Sequence, residues 1–275
     1  MLTPEFPLHV EAIVFDMDDT LLRDDRTISD YTIQTLREAH ARGIRIIPAS
    51  GRAKDSMTAF VRQIGMVDLF IAYNGAHVYS PDGQLLRAVS LDVDTAREVA
   101  AFAEKNELYA QTYRGGRFFY NREGAFAQEY ARTSMLSGEC VGDLEAFITE
   151  PTAKILMMDT AEKIQSLLPA ARSQFDGRVS VTCSKPYFLE FNPQEATKGN
   201  ALAYCAKALG FSLEKTLAFG DSLNDLSMLT LAGYGVAIGN ARDDVKHALR
   251  YQADTNENDG VARFIHTNVL CGGNV

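Results

Sequence analysis

The sequence predicts a doubly wound α/β domain with a mostly parallel sheet, interrupted by an inserted α+β domain. Three observations predict it. At both ends of the chain, short and nearly continuous apolar runs alternate with amphipathic helical stretches, the rhythm of βαβ units. In the middle, that rhythm gives way to paired strand-like runs beside helices. A loop containing Pro or Gly stands at each transition, around residues 81–83 and 192–194, as expected where one domain is inserted into a surface loop of another. The expected division is 1–83 with 192–275 for the outer domain and 84–191 for the insertion. A chain of 275 residues has room for both.

The elements follow in order. "EAIVFD" is an apolar run suited to a strand covered on both faces. Ser29 is placed as the N-cap of "DYTIQTLREAHARG", whose Ile33, Leu36 and Ala39 recur at helical spacing and which stops at Gly43. "IRIIPAS" predicts a second strand, "RAKDSMTAFVRQIG" a second helix and "LFIAYNGA" a third strand. In the insertion, "ELYAQTY" with "GRFFYN" and "GRVSVTC" with "YFLEFN" predict two hairpins, with helices over 94–105 and 160–174. From Lys198 the alternation returns. "TKGNALAYCAKALG" is a helix, "TLAFGD" a strand, "SLNDLSMLTLAG" a helix, "YGVAIGN" a strand and "ARDDVKHALR" a helix.

Composition narrows the function. With 46% apolar residues the chain can bury a sizeable core, and its net charge of −9, without a dense Lys/Arg cluster, argues against nucleic acid or anionic membrane as a partner. Cys140, Cys183, Cys205 and Cys271 are scattered without ligand spacing, the pattern of free thiols in a reducing compartment. The first dozen residues carry Glu5 and Glu11 and no basic segment, and no apolar run reaches membrane-span length. A cytoplasmic setting is expected.

The polar residues that stand out fall at strand ends and helix starts, where a doubly wound sheet binds its ligands. Asp16 and Asp18 follow the first strand, Ser50, Gly51 and Arg52 the second, Lys198 opens the helix after the insertion, and "GDSLND" follows "TLAF". Four ionised aspartates, Asp16, Asp18, Asp221 and Asp225, would repel a phosphate. Two unit charges about 4 Å apart cost roughly 4 kcal/mol at an effective dielectric near 20. A hard divalent cation held by carboxylate oxygens answers that deficit, and Mg2+ commonly uses one or two carboxylates plus substrate phosphate oxygens. Residues two apart in extended chain point the same way, so Asp16 and Asp18 face one pocket while Met17 points elsewhere. One of the pair can attack phosphorus, and the other can protonate the leaving oxygen and then activate water. Ser50 and the N–H groups of Gly51 and Arg52 suit phosphate oxygens, and Lys198 suits a non-bridging oxygen. Each motif alone is weak. A DxD is more often a solvated turn, and "SGR" alone is an ordinary helix cap. All four in this order carry the inference.

Together, "DMDDTLL", "ASGR", Lys198 and "GDSLND" resemble the four motifs of the haloacid dehalogenase superfamily. "AYNGA", "TKGNAL", "YGVAIGNA" and "NENDGVA" are similar to signatures of its Cof-type subgroup of sugar-phosphatase-like hydrolases, which carries a large α/β cap where this chain has its insertion. The resemblance implies that Asp16 is the nucleophile and Asp18 the general acid/base. It implies Mg2+ held by the carboxylates of Asp16 and Asp221 and the backbone carbonyl of Asp18. Asp225 then supports the metal from behind its ligands, and Asn224 lies near the phosphate. Asp19 replaces the commoner glycine and is expected to cap the turn. "NPQEATKG" departs from the glycine-containing loop usual before the lysine.

The expected activity is hydrolysis of a small phosphorylated metabolite, a sugar phosphate first, through an aspartyl-phosphate. A phosphomutase shares all four motifs and stays open. A non-catalytic binding protein usually lacks the nucleophile or the acid, and a signalling receiver is shorter and has no inserted domain. Tyr113, Arg114, Arg117, Lys185 and Tyr187 are candidate contacts from the cap, with the two arginines hinting at a second anionic group. His77 is expected to be a hydrogen-bonded structural residue.

Overall fold

The structure, a computed structural model, describes residues 9–271, so most of the N-terminal stretch read for a leader lies outside the described residues. Strand β1 (Ala12–Phe15) is buried at every position, as its unbroken apolar run requires. Helix α1 (Asp30–Ala41) starts where expected: the Ser29 hydroxyl accepts from the Thr32 N–H at 3.0 Å, the N-cap bond that satisfies one orphan donor. Strand β2 (Arg45–Pro48) and helix α2 (Lys54–Ile64) follow. Strand β3 (Phe70–Ala72) departs from expectation. It joins β4 (His77–Tyr79) and β5 (Leu85–Ala88) in a separate antiparallel sheet and touches the parallel sheet through one bridge, Ala49 to Ile71. The tight turn at Tyr73–Gly75 takes "NGA" straight into β4, leaving too few residues for another crossover.

The insertion supplies α3 (Val93–Lys105), β6 (Tyr109–Arg114), β7 (Arg117–Tyr120), α4 (Ala125–Ser134), β8 (Gly138–Cys140) and the short α5 (Leu144–Phe147). Then come β9 (Ile155–Met158), α6 (Ala161–Gln174), β10 (Val179–Thr182) and β11 (Phe188–Pro193). Both expected hairpins form, β6 with β7 and β10 with β11, inside one sheet ordered β10-β11-β9-β6-β7-β8. Alternation gives this sheet two faces. Ala110, Ile155, Met157, Leu189 and Phe191 pack on residues of α3 and α6, while Tyr109, Tyr113, Leu156 and Met158 join the cluster of the outer domain.

The chain returns through α7 (Lys198–Leu209), β12 (Thr216–Gly220), α8 (Leu226–Leu231), β13 (Tyr234–Ala237), α9 (Asp243–Ala248), β14 (Tyr251–Gln252) and α10 (Gly260–Ile265). The parallel sheet runs β14-β13-β12-β1-β2. From β1 the chain builds outward to β2 on one side and, after the insertion, to β12 on the other. That reversal brings the carboxyl ends of β1, β2 and β12 together at a switch point, where such sheets bind ligands. No helix among the described residues is long and apolar enough to cross a membrane.

Candidate active site

Asp16 leaves the end of β1 with its N–H donating to the Phe219 carbonyl at 3.0 Å, one further rung of the ladder to β12. Asp16 (φ −69°, ψ 163°) and Asp18 (φ −69°, ψ 131°) are both extended, so their side chains face the same cavity while Met17 is wholly buried in the core. Asp19 then turns left-handed at φ 59°. That conformation favours glycine and tolerates Asp or Asn, which accounts for an aspartate where the commoner residue is glycine. The expected capping role does not appear among the described residues. The Asp19 carbonyl, not its carboxylate, accepts from Asn240 Nδ2 at 2.7 Å.

Asp16, Asp18, Ser50, Gly51, Asp221 and Asn224 all line one cavity. Lys198 stands behind its floor, fully buried, where its ammonium donates to Asp16 Oδ1 and, at 2.6 Å, to Asp225 Oδ1. Burial alone would depress the lysine. Asp16 and Asp225 reverse that and hold it protonated, above its ordinary value. Asp225 is equally committed: its Oδ2 accepts from the N–H groups of Asp221 and Ser222, each at 3.0 Å. Asp225 therefore fixes the loop after β12 and orients Lys198. Burial raises the Asp16 carboxyl well above the usual range. Lys198 opposes the rise, and Asp225, Asp221 and Asp18 add to it. Asp221 is pushed up to about 7, first by burial and then by Asp225, although it accepts from Thr20 Oγ1 at 2.9 Å.

Asp18 has the opposite fate. Burial would raise it, but Arg52 grips it through Nε to Oδ2 at 2.7 Å and an η nitrogen to Oδ1 at 2.6 Å, and holds it below its ordinary value. Such forked pairing combines charge with fixed geometry. Sequence reasoning used only the Arg52 backbone N–H, which here donates to Ser50 Oγ at 3.1 Å. It also missed Thr20, and gave no role to Asn74, which lies in the left-handed region at φ 56° and accepts from Asn224 Nδ2 at 3.0 Å. From the insertion it missed the buried pair Lys154 and Glu190. One signal was available: Glu190 interrupts the apolar run of "FLEF".

The cap candidates divide. Lys185 lines the cavity. Tyr113 does not: its hydroxyl is taken by Gln111 Nε2 at 2.9 Å and the Tyr130 hydroxyl at 2.6 Å, and Tyr130 faces the cavity instead. Tyr187 is exposed away from it. The expectation of a second anion at the arginines is corrected. Arg114 pairs with Glu150 and lies over the Phe147 ring, and Arg117 pairs with Glu139 at 3.0 Å. His77 is structural, its Nδ1 2.8 Å from the Tyr79 hydroxyl, with burial pushing the imidazole down to about 4. The loop before Lys198 needs no glycine. No residue of 194–197 has positive φ, and Thr197 caps α7 by accepting from the Asn200 N–H at 3.0 Å.

Carboxylate oxygens of Asp16, Asp221 and Asp225 lie within 4.8 Å of one another. An all-oxygen donor set of this charge fits a hard divalent cation.

Comparison with known proteins shows the family and the fold. The sequence profile of the haloacid dehalogenase-like hydrolases matches residues 13–265. The 5-amino-6-(5-phospho-D-ribitylamino)uracil phosphatase YitU of Bacillus subtilis (strain 168) is 30% identical over 264 residues, covering 92% of this chain and 95% of that protein. The HMP-PP phosphatase of Serratia proteamaculans (strain 568) is 30% identical over 237 residues, covering 86% of each chain. The crystal structure of a haloacid dehalogenase-like hydrolase from Bacteroides thetaiotaomicron superposes with a TM-score of 0.86 at 30% identity, covering 94% of this chain and 99% of that one.

Proposed function

The chain belongs to the haloacid dehalogenase-like hydrolases, and on that premise we propose that it is a Mg2+-dependent phosphatase of small phosphorylated metabolites, sugar phosphates foremost. The observation that carries the reading is the pairing of two carboxylates of opposite disposition in one cavity. Asp16 is buried and braced by Lys198, while Asp18, two residues on, is held by Arg52. Relatives named as phosphatases of a ribitylamino-uracil phosphate and of HMP-PP support the substrate class.

In this reading an Asp16 oxygen attacks phosphorus, the ester bond breaks, and the leaving oxygen takes a proton from Asp18. Water then attacks the aspartyl-phosphate and gives its proton to Asp18, releasing phosphate and restoring Asp16. The Arg52 fork keeps Asp18 in its basic form, ready for the second half. The first half needs Asp18 protonated, so the Arg52 fork has to open before it. Ser50 and Gly51 receive phosphoryl oxygens beside Asn224. Lys198 keeps Asp16 oriented and offsets its charge. The carboxylates of Asp16 and Asp221, with the Asp18 carbonyl, would hold Mg2+, and Asp225 would brace them through its two backbone bonds. Bound there, the cation supplies positive charge against the phosphoryl oxygens. Residues 84–191 act as a cap that excludes bulk water. A cytoplasmic setting belongs to this reading, supported by four free cysteines.

The test is phosphate release from a panel of phosphorylated metabolites, in Mg2+ and in chelator, with Asp16→Asn beside the parent chain. Release that needs Mg2+ and disappears in Asp16→Asn is expected. Equal turnover by Asp16→Asn would overturn the assignment, and transfer to a second site on the substrate without net phosphate would make the enzyme a mutase.

A further inference from the structure

The cavity wall opposite Asp16 comes from the insertion, and it contains a buried ion pair outside the reaction just described. Lys154 and Glu190 are joined at 2.7 Å with side chains 4% and 3% exposed. The same Lys154 ammonium donates to the Gly51 carbonyl at 2.9 Å, tying the insertion to the loop after β2. Glu190 spends only Oε1 on this pairing, and its Oε2 is buried without a partner.

Beside it, the outer domain contributes a buried donor. Ser222 Oγ donates to Asn224 Oδ1 at 2.5 Å. Asn224 Nδ2 donates to Asn74 Oδ1 at 3.0 Å, and the Asn74 amide turns its Nδ2 the other way. That nitrogen is also buried and without a partner. Burial would raise the Glu190 carboxyl, and Lys154, with hydrogen bonding from Ser184 and Asn74, holds it below the usual range. Asn74 and Glu190 are neighbours, yet neither Glu190 Oε2 nor Asn74 Nδ2 closes a hydrogen bond of good geometry. Both residues line the cavity that holds Asp16 and Asp18.

A donor and an acceptor, neither well satisfied, therefore lie next to each other on the same cavity. Buried polar atoms in native proteins are almost always paired, so two open ones in a ligand cavity mark a place for a ligand group. An ammonium can only donate and a phosphoryl oxygen can only accept, whereas a hydroxyl does both. We propose that Asn74 Nδ2 and Glu190 Oε2 together bind one hydroxyl of the leaving group, Asn74 donating to its oxygen and Glu190 accepting its hydrogen. The pair thereby selects polyol and sugar phosphates over phosphates of plain alcohols. Lys154 is the positioning residue: it keeps Glu190 charged and holds it against the outer domain. The inference rests on the phosphatase reading above and deepens it.

Three probes separate the two. The full chain is assayed in Mg2+ with sorbitol phosphate, hexyl phosphate and p-nitrophenyl phosphate, and the kcat/KM ratio of the first two is taken within each variant. A ratio is unaffected by the fraction of each preparation that is folded. A site built to hydrogen-bond a hydroxyl rejects an analogue lacking it, here by roughly a hundredfold, a modest share of the known range. In Glu190→Gln and separately in Asn74→Ala, the ratio is expected to fall to within about tenfold of unity. Parent chain with no preference for sorbitol phosphate, or variants that keep it, would overturn the hydroxyl site while p-nitrophenyl phosphate turnover left the phosphatase reading standing. No turnover of any of the three by the parent would end both.

Discussion

Asp221 is expected to reduce the stability of the metal-free protein, and replacing it isolates that cost. Burial and the nearby Asp225 carry its carboxyl from an ordinary 3.8 up to about 7. Moving an ionisation that far disfavours the charged form by roughly 4 kcal/mol. The proton is held more tightly in the folded state than in the unfolded one. The stabilisation is therefore complete below about pH 4 and is lost as pH climbs through about 7. Asp221→Asn removes the charge and keeps an oxygen for the Thr20 hydroxyl now donating to Oδ1 at 2.9 Å. Its new amide group needs a partner of its own, which takes back part of the gain. In chelator at about pH 8 the variant should be more stable than the parent by about 2 kcal/mol, which raises Tm by roughly 4–8 °C in a chain of this size. Its stability should also decline less steeply between about pH 4 and 8. Saturating Mg2+ should stabilise the parent and leave the variant nearly unmoved. Thermal unfolding followed by circular dichroism across that range measures all of this. An Asp221→Asn chain less stable than the parent at about pH 8 in chelator would refute the electrostatic reasoning, because the charge would then be worth more than its burial costs.

Two further outcomes follow from the same geometry. Gly75 has φ +97°, and a Cβ added there would lie 2.1 Å from the Thr197 carbonyl oxygen, one residue before Lys198. Gly75→Ala should cost at least about 2 kcal/mol and displace the start of α7, and an unchanged urea midpoint would contradict it. Arg52→Gln should let burial dominate and raise the Asp18 carboxyl, which must carry a proton into the first half-reaction, so the alkaline limb of the kcat/KM profile should move to higher pH. A limb that stays or moves down would mean that Asp18 is not the titrating group.

The grouping of the candidate residues was legible because it is written locally. Asp16 and Asp18 are two residues apart at a strand end, and alternation alone points both into one cavity while Met17 enters the core. Asp221 and Asp225 sit within one turn after β12. What the sequence could not supply is which carboxylate is charged. Asp18 is depressed by Arg52, brought in from beyond the end of β2, and Asp221 is raised first by burial, which only the folded site creates. The arginines of "TYRGGR" misled for the same reason. Glu139 and Glu150, which neutralise them, are distant in sequence and nothing local announces them.

The insertion follows a different logic, and that explains why substrate is harder to read than reaction. Its cavity wall is assembled by pairs such as Lys154 and Glu190, 36 residues apart, and by Asn74 across the domain boundary. Neither β9 nor β11 marks its inward face by composition alone, since both faces of the sheet are covered. Leu189 and Phe191 face the helices of the insertion, and Glu190 between them faces the outer domain. A carboxylate at the centre of a strand buried on both sides is costly unless paired, and Lys154 pairs only half of it. The unpaired half is the more informative. A pair kept only to fasten two domains would satisfy both oxygens, whereas one that must also receive a ligand leaves an oxygen open. By that reasoning the outer domain carries the chemistry, and the open oxygen of Glu190 is where the insertion enters the choice of substrate.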